Sequence, residues 1–193
     1  MDQFSAIGTS ILSKVAFYPS LFYNYALYLA SFRHWYVRID SSIIFGALPF
    51  RQMATELVEK ENVRGVLSAN ENFETKHFTP SKEEWKDLGV GFLQVEVEDF
   101  IGTPSLWQVT QALAFISYYQ QLGQCVYVHC KAGRTRSAII VACYLMMKNQ
   151  WDDTTAWNHI LSRCTHVRLT QQQQQFLHFF YLTETSMQKL RTR

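Results

Sequence analysis

The run from Cys125 to Leu145 constrains this chain more than any other segment. Cys125-Val-Tyr-Val-His129 reads as a buried strand, and Ser137-Ala-Ile-Ile-Val-Ala-Cys-Tyr-Leu145 reads as a helix. Cys130-Lys-Ala-Gly-Arg-Thr-Arg136 is the short loop between them. A strand that enters a helix this way sets the loop at the positive end of the helix, where successive backbone N–H groups can turn inward as an anion-binding nest. Gly133 supplies the backbone freedom that tight curvature needs.

The loop residue types point to phosphate chemistry. Lys131, Ala132, Gly133, Arg134, Thr135 and Arg136 would surround a tetrahedral dianion without a metal, and the planar fork of Arg136 can grip two of its oxygens. The same positive field stabilises a thiolate at Cys130, since helix N-termini and nearby cations depress a thiol pKa from about 8.5 to roughly 3.5–7.5. Cys130 is therefore the candidate nucleophile. The bland alternative is a buried structural thiol, which is how Cys125, Cys143 and Cys164 read, since none of them has the downstream Gly and Arg. Cys, five residues, then Arg is a weak pattern alone; His before the Cys, Gly three after it and Ser after the Arg sharpen it. His129 is expected to orient the loop through hydrogen bonds, and Ser137 to donate to the departing thiolate.

Expelling an alkoxide from a phosphomonoester needs a proton donor. Asp99 lies in Glu96-Val-Glu-Asp-Phe-Ile-Gly-Thr-Pro104, after a predicted strand and in a loop that could close over a pocket. Glu96 and Glu98 compete for the role, and all three acids could instead form a solvated strand end.

The rest of the chain alternates short apolar runs with helical patterns, which predicts an α/β domain with a central sheet flanked by helices. Strands are expected at Ile43 to Ala47, Val63 to Ala69, Gly91 to Val97 and Cys125 to His129. Helices are expected around Met53 to Lys60, Ser81 to Leu88, Leu106 to Gln121, Ser137 to Lys148, Asp152 to Arg163 and Gln172 to Leu190. Ser81 with Glu84 has a capping-box pattern, and Asp152 is an N-cap candidate. At 193 residues the chain fits one catalytic domain with a short extension. A net charge of +2, without a Lys or Arg run, gives no support for a nucleic-acid partner. Four cysteines without dense spacing suit a reducing compartment, and no pair has zinc-ligand spacing, so no metal and no cofactor is expected.

Val15 to Phe32 carries no charged residue and is crowded with Phe17, Tyr18, Phe22, Tyr23, Tyr25, Tyr28 and Phe32. Its length is marginal for spanning a bilayer, and Pro19, Asn24 and the tyrosines suit an interface better. Residues 1–32 are thus expected to be a membrane-associated segment ahead of a domain at 33–193, with an amphipathic helix packed on that domain as the alternative.

His129-Cys-Lys-Ala-Gly-Arg-Thr-Arg-Ser137 resembles the signature loop of protein-tyrosine and dual-specificity phosphatases. The likeness extends to Trp35-Tyr-Val-Arg-Ile-Asp40, Gly46-Ala-Leu-Pro49, Asn62-Val-Arg-Gly-Val66, Asn70-Glu-Asn-Phe-Glu-Thr75, Glu84-Trp85 and Leu122-Gly-Gln-Cys-Val-Tyr-Val128, which are similar to the mitochondrial branch acting on phosphatidylglycerophosphate. The resemblance implies a compact cysteine-phosphatase fold with a mostly parallel sheet, Cys130 and Arg136 in the active-site loop, and Asp99 as general acid. It also implies a pocket formed by Glu71, Asn72, Phe73 and Glu74, attachment to the matrix face of the mitochondrial inner membrane, and a part in cardiolipin synthesis. Asn72 and Phe73 stand where the family pattern has Glu and Tyr, and Thr135 where Ser is usual. A protein phosphatase for phosphotyrosine, phosphoserine or phosphothreonine is the other enzymatic reading, and a non-catalytic phosphate binder is the third.

Overall fold

The computed structural model describes the backbone of residues 3–191 and the side chains of residues 16–187. The side chain of Val15 and the terminal residues Met1, Asp2, Thr192 and Arg193 therefore lie outside the described part. Strands β1 (Tyr36–Arg38), β2 (Ile43–Gly46), β3 (Val63–Ser68), β4 (Gly91–Gln94) and β5 (Cys125–His129) form one sheet in the order β1-β2-β5-β3-β4. The last four in that order are parallel to their neighbours, and β1 alone is antiparallel. Strand β5, at the centre, is buried at all five residues, as a strand covered on both faces must be.

Side-chain alternation divides the core. Val126 and Val128 of β5 join Ile43, Phe45 and Leu67 on one face, while Cys125 and Tyr127 join Ile44, Val66 and Trp85 on the other. The first face is covered by α5 (Leu106–Gln121), α6 (Arg136–Asn149), α7 (Asp153–Arg163) and α8 (Gln171–Arg191). The second is covered by α2 (Ala54–Glu59) and α4 (Lys82–Asp87). Helix α6 is buried without a break from Arg136 to Met146, so it is a core helix and not a surface one.

The expected caps form as hydrogen bonds. The N–H of Glu84 donates to Ser81 Oγ at 3.2 Å while Ser81 N–H donates to Glu84 Oε2 at 2.6 Å, and Thr155 N–H donates to Asp152 Oδ1 at 2.7 Å. Expected strand Gly91 to Val97 stops at Gln94, because Val95 N–H makes a last bond to Ser68 O at 2.8 Å and the chain then leaves β3. Two short elements carry no periodic signal: β1, and α3 (Asn72–Thr75). Strand β1 is held by a turn in which Ser42 and Ile43 N–H donate to Asp40 Oδ1.

The aromatic N-terminal stretch belongs to α1 (Gln3–Leu29). Phe17 and Leu21 are buried with Trp35 and Ala47, and Tyr25, Phe50, Phe73 and Phe78 pack around them. One face of α1 thus shares a core with the domain, while Tyr18, Phe22, Tyr23, Tyr28 and Leu29 remain exposed. No helix among the described residues is long and apolar enough to cross a membrane.

Candidate active site

The loop of residues 130–135 joins β5 to α6. Gly133 has φ of 58°, and a Cβ there would stand 2.7 Å from the carbonyl carbon of Gly46 and 3.0 Å from the nitrogen of Ala47. The end of β2 therefore lies where any other residue would need space. Outward-facing carbonyls of the loop are used by the scaffold: Leu48 N–H donates to Lys131 O and Arg168 N–H to Arg134 O, both at 3.3 Å. Inward-facing N–H groups of Arg134 and Ser137 are left for the sulfur of Cys130.

Burial alone would push the Cys130 thiol up, but the Arg136 charge, the Ser137 hydroxyl and those two N–H groups outweigh it, and the net shift is downward. Ser137 Oγ makes no fully formed hydrogen bond, yet its dipole lies close enough to favour the thiolate. The other three cysteines go the opposite way. Burial raises Cys125 and Cys143 and pushes Cys164 up to about 11. His129 is buried beneath the loop and neutral, its pKa driven down to about 3 chiefly by burial. Its backbone oxygen accepts from Ala69 N–H at 2.8 Å, whereas its ring Nδ1 has no hydrogen-bond partner among the described residues.

Arg136 is held from several sides. Glu74, fully buried, takes Nη1 at 2.7 Å and Nη2 at 3.0 Å as a bidentate pair, and Nη1 also donates to Val97 O at 3.0 Å. Burial works against the guanidinium charge, but Glu74 more than compensates and raises its pKa. Nη2 also reaches Asp99 Oδ1 at 2.8 Å, and the second oxygen of Asp99 pairs with Lys131 Nζ. Asp99 therefore lies across the loop, clasped by two of its cations. Phe100, next in the chain, has φ of 65°, an uncommon conformation for a non-glycine residue and of the kind found at functional loops.

A cavity of about 290 Å³ opens over these groups. Of the residues expected at the site, Cys130, Lys131, Ala132, Arg134, Thr135, Arg136 and Asp99 line it. Gly133, His129 and Ser137 are buried beneath. Glu96, turned toward Asn72, and Glu98 do not line the cavity. Glu71, Asn72, Phe73 and Glu74 also fall outside its lining. Glu74 sits behind Arg136, Glu71 N–H donates to Glu74 Oε2 at 2.8 Å, Phe73 meets the Phe17 ring edge-on at 5.7 Å, and Asn72 borders a separate cavity.

Sequence reasoning did not identify five lining residues: Ser20, Tyr23, Asn24, Phe100 and Arg168. Ser20 Oγ accepts from Lys131 Nζ at 2.8 Å, so α1 touches the loop itself. Ser20, Tyr23 and Asn24 are spaced i, i+3, i+4, a polar stripe in an aromatic segment that was legible as one helix face. Arg168, in the connection between α7 and α8, carries no comparable signal.

The chain matches the dual specificity phosphatase catalytic domain over residues 51–182. It is 41% identical over 173 residues to phosphatidylglycerophosphatase and protein-tyrosine phosphatase 1 of Rattus norvegicus, covering 88% of this chain and 90% of that protein. It is 36% identical over 150 residues to phosphatidylglycerophosphate phosphatase PTPMT2 of Arabidopsis thaliana, covering 77% of this chain and 64% of that protein. Among solved structures, the crystal structure of PTPMT1 in complex with PI(5)P superposes with a TM-score of 0.78 at 40% identity, covering 80% of this chain and 99% of that one.

Proposed function

The chain belongs to the dual-specificity phosphatase family and is a phosphomonoester hydrolase, and from that premise we propose that it removes the terminal phosphate of phosphatidylglycerophosphate, leaving phosphatidylglycerol. The observation that carries this reading is the setting of the cavity: the loop that would hold phosphate is walled by a helix whose outer face is aromatic and exposed. Relatives of the chain named for the same lipid reaction support it.

In this reading the Cys130 thiolate attacks phosphorus in line with the departing glycerol oxygen. The phosphoryl oxygens settle on the inward N–H groups and on Arg136, whose fork fits better as the group flattens toward the transition state. The incoming dianion competes with Asp99 for Nη2 of Arg136. That competition frees the carboxyl group, which in its protonated form gives its proton to the leaving oxygen as the P–O bond breaks. Asp99 then takes a proton from water, the water oxygen bonds to phosphorus, and the S–P bond breaks to return the thiolate and release orthophosphate. Glu74 touches no substrate and acts by fixing the plane of Arg136. The remaining loop residues Lys131, Ala132, Gly133, Arg134 and Thr135 form the phosphate cradle, and Ser137 supports the thiolate.

A lipid substrate requires a lipid surface. Phe22 and Phe32 are 74% and 78% exposed, and Phe100 and Ile101 of the acid loop are exposed as well. An exposed apolar surface of this kind, shared by α1, the turn after it and the acid loop, suits lying in the interface plane with the cavity mouth turned to the headgroups. This reading assigns residues 1–32 to membrane association even though one face is docked on the domain, and it places the protein at the matrix face of the mitochondrial inner membrane, within cardiolipin synthesis. Phosphate release from phosphatidylglycerophosphate in mixed micelles, compared with a phosphotyrosine peptide at equal concentration and with Cys130→Ser as the blank, tests it. A strong preference for the lipid is expected, and a preference for the peptide would move the substrate to protein.

A further inference from the structure

Two of the cations at the cavity have a carboxylate partner. Arg136 is divided between Glu74 and Asp99, and Lys131 faces Asp99. Three arginines at the rim do not. Arg134 Nε donates to His166 O at 3.3 Å, Arg168 Nη1 to Thr165 O at 2.8 Å and Val167 O at 2.7 Å, and Arg33 Nη1 to Asn24 Oδ1 at 2.9 Å. Every one of these partners is neutral, and none of the three arginines forms an ion pair among the described residues.

They also share a place. Arg134 and Arg168 line the cavity that holds Cys130, and their loops are joined by the Arg168 N–H to Arg134 O bond. Arg33 is tied to Asn24, another lining residue. Their charges act on one another: burial lowers the Arg33 pKa, and Arg134 and Arg168 lower it further. His166 lies in the same field, held down at about 4 by burial first and then by Arg33 and Arg134. Like charges gathered at a cavity mouth without counter-ions are unfavourable in the empty protein. They become favourable when an anion occupies the space between them.

We infer that Arg33, Arg134 and Arg168 form a second anion subsite that takes the phosphodiester of the substrate, so the enzyme recognises a lipid headgroup carrying two phosphates. The inference rests on the lipid-phosphatase reading and specifies which feature of the lipid is read. In phosphatidylglycerophosphate the diester lies one glycerol unit from the phosphomonoester. With the monoester on Cys130 and Arg136, the diester and its acyl chains extend toward the rim and the exposed face of α1. A phosphotyrosine side chain has no anion at that position, so the ring of arginines discriminates between the two substrate classes.

The test uses full-length Cys130→Ser protein and calorimetric binding of dihexanoyl phosphatidylglycerophosphate below its micellar concentration. The reference ligand is the same lipid with a methylphosphonate in place of the diester, which removes that charge and keeps the shape. The charged lipid is expected to bind about tenfold tighter, the order expected of a lost charge-assisted hydrogen bond. Arg33→Gln with Arg168→Gln should abolish most of that preference, and the two Lys variants should restore part of it. Equal binding of the two lipids by the otherwise unaltered protein would overturn the inference, whatever the variants do to folding. So would variants that weaken both lipids equally, or a second orthophosphate per chain that the Gln variants lose, which would assign the ring to free phosphate. If the preference holds but the Cys130 enzyme releases no phosphate from the charged lipid, the subsite stands and the proposed reaction fails.

Discussion

Asp99 is engaged twice in the ligand-free site, at Lys131 Nζ and at Arg136 Nη2. In the proposed reaction this carboxyl group serves the leaving oxygen once phosphate displaces it from Arg136. Asp99→Asn keeps the shape and removes the transferable proton, so it should slow glycerol phosphate hydrolysis by about 10²- to 10⁴-fold. Aryl phosphates, whose leaving groups need little protonation, should lose much less. Steady-state rates on the two substrates decide it, and equal losses would take the acid role from Asp99. Loop position together with the family resemblance favoured Asp99 among three acids, and in the fold Glu96 is turned toward Asn72. No spacing rule could have shown that Glu74 clasps Arg136, since the two are brought together from distant parts of the sequence.

At the scale of elements, α1 does two jobs on two faces. Phe17 is 1% exposed against Trp35, Phe73 and Phe78, whereas Phe22, about one and a half turns on, is 74% exposed. Phe17→Ala should therefore cost about 3–5 kcal/mol of stability, read by urea denaturation. Phe22→Ala should leave the unfolding midpoint in place and weaken co-sedimentation with anionic phospholipid vesicles. If Phe22→Ala destabilises as Phe17→Ala does, the outer face is not free; if it leaves vesicle binding intact, the membrane role of that face fails. The helix was legible in the sequence, but its division was not, because aromatic residues line both sides of it. Strand β5 and helix α5 were legible to the residue, since burial on both faces or strong caps fixed their ends. Helix α8 was legible from about Gln172 onward, yet its start was not legible as an anchor. Gln173, wholly buried, donates to Gly102 O at 2.9 Å and so ties α8 to the acid loop.

The whole molecule carries a net charge of +2, so its anion affinity is a local property built by folding. Folding also takes two histidines out of water. His129 and His166 have folded-state pKa values of about 3 and about 4, against about 6.5 in an unfolded chain. At pH 7 the folded chain holds neither proton, and the unfolded chain carries only about a quarter of each. As pH falls below about 6.5 the unfolded chain takes up protons that the folded chain refuses until about 4 and about 3, so acid progressively favours unfolding through that window. The thermal midpoint should drop between pH 7 and pH 5, and His129→Gln should flatten that slope. An unchanged slope in the variant would mean that His129 does not remain neutral in the fold.

The sequence by itself determined the strand, loop and helix around Cys130, because a run of apolar residues, one glycine and one helix start are local instructions. It also determined the α/β class, since that follows from periodicity. Tertiary structure alone decided what surrounds the loop. Glu74 behind Arg136, Ser20 against Lys131 and the unpaired arginines at the rim come from segments far apart in the chain. They meet because β5 sits between β2 and β3 while α1 folds back over the mouth of the site. Local pattern encodes which residues can do the chemistry. Which charges are neutralised, and which are left for a substrate, depends on distances in space that only the packed fold defines.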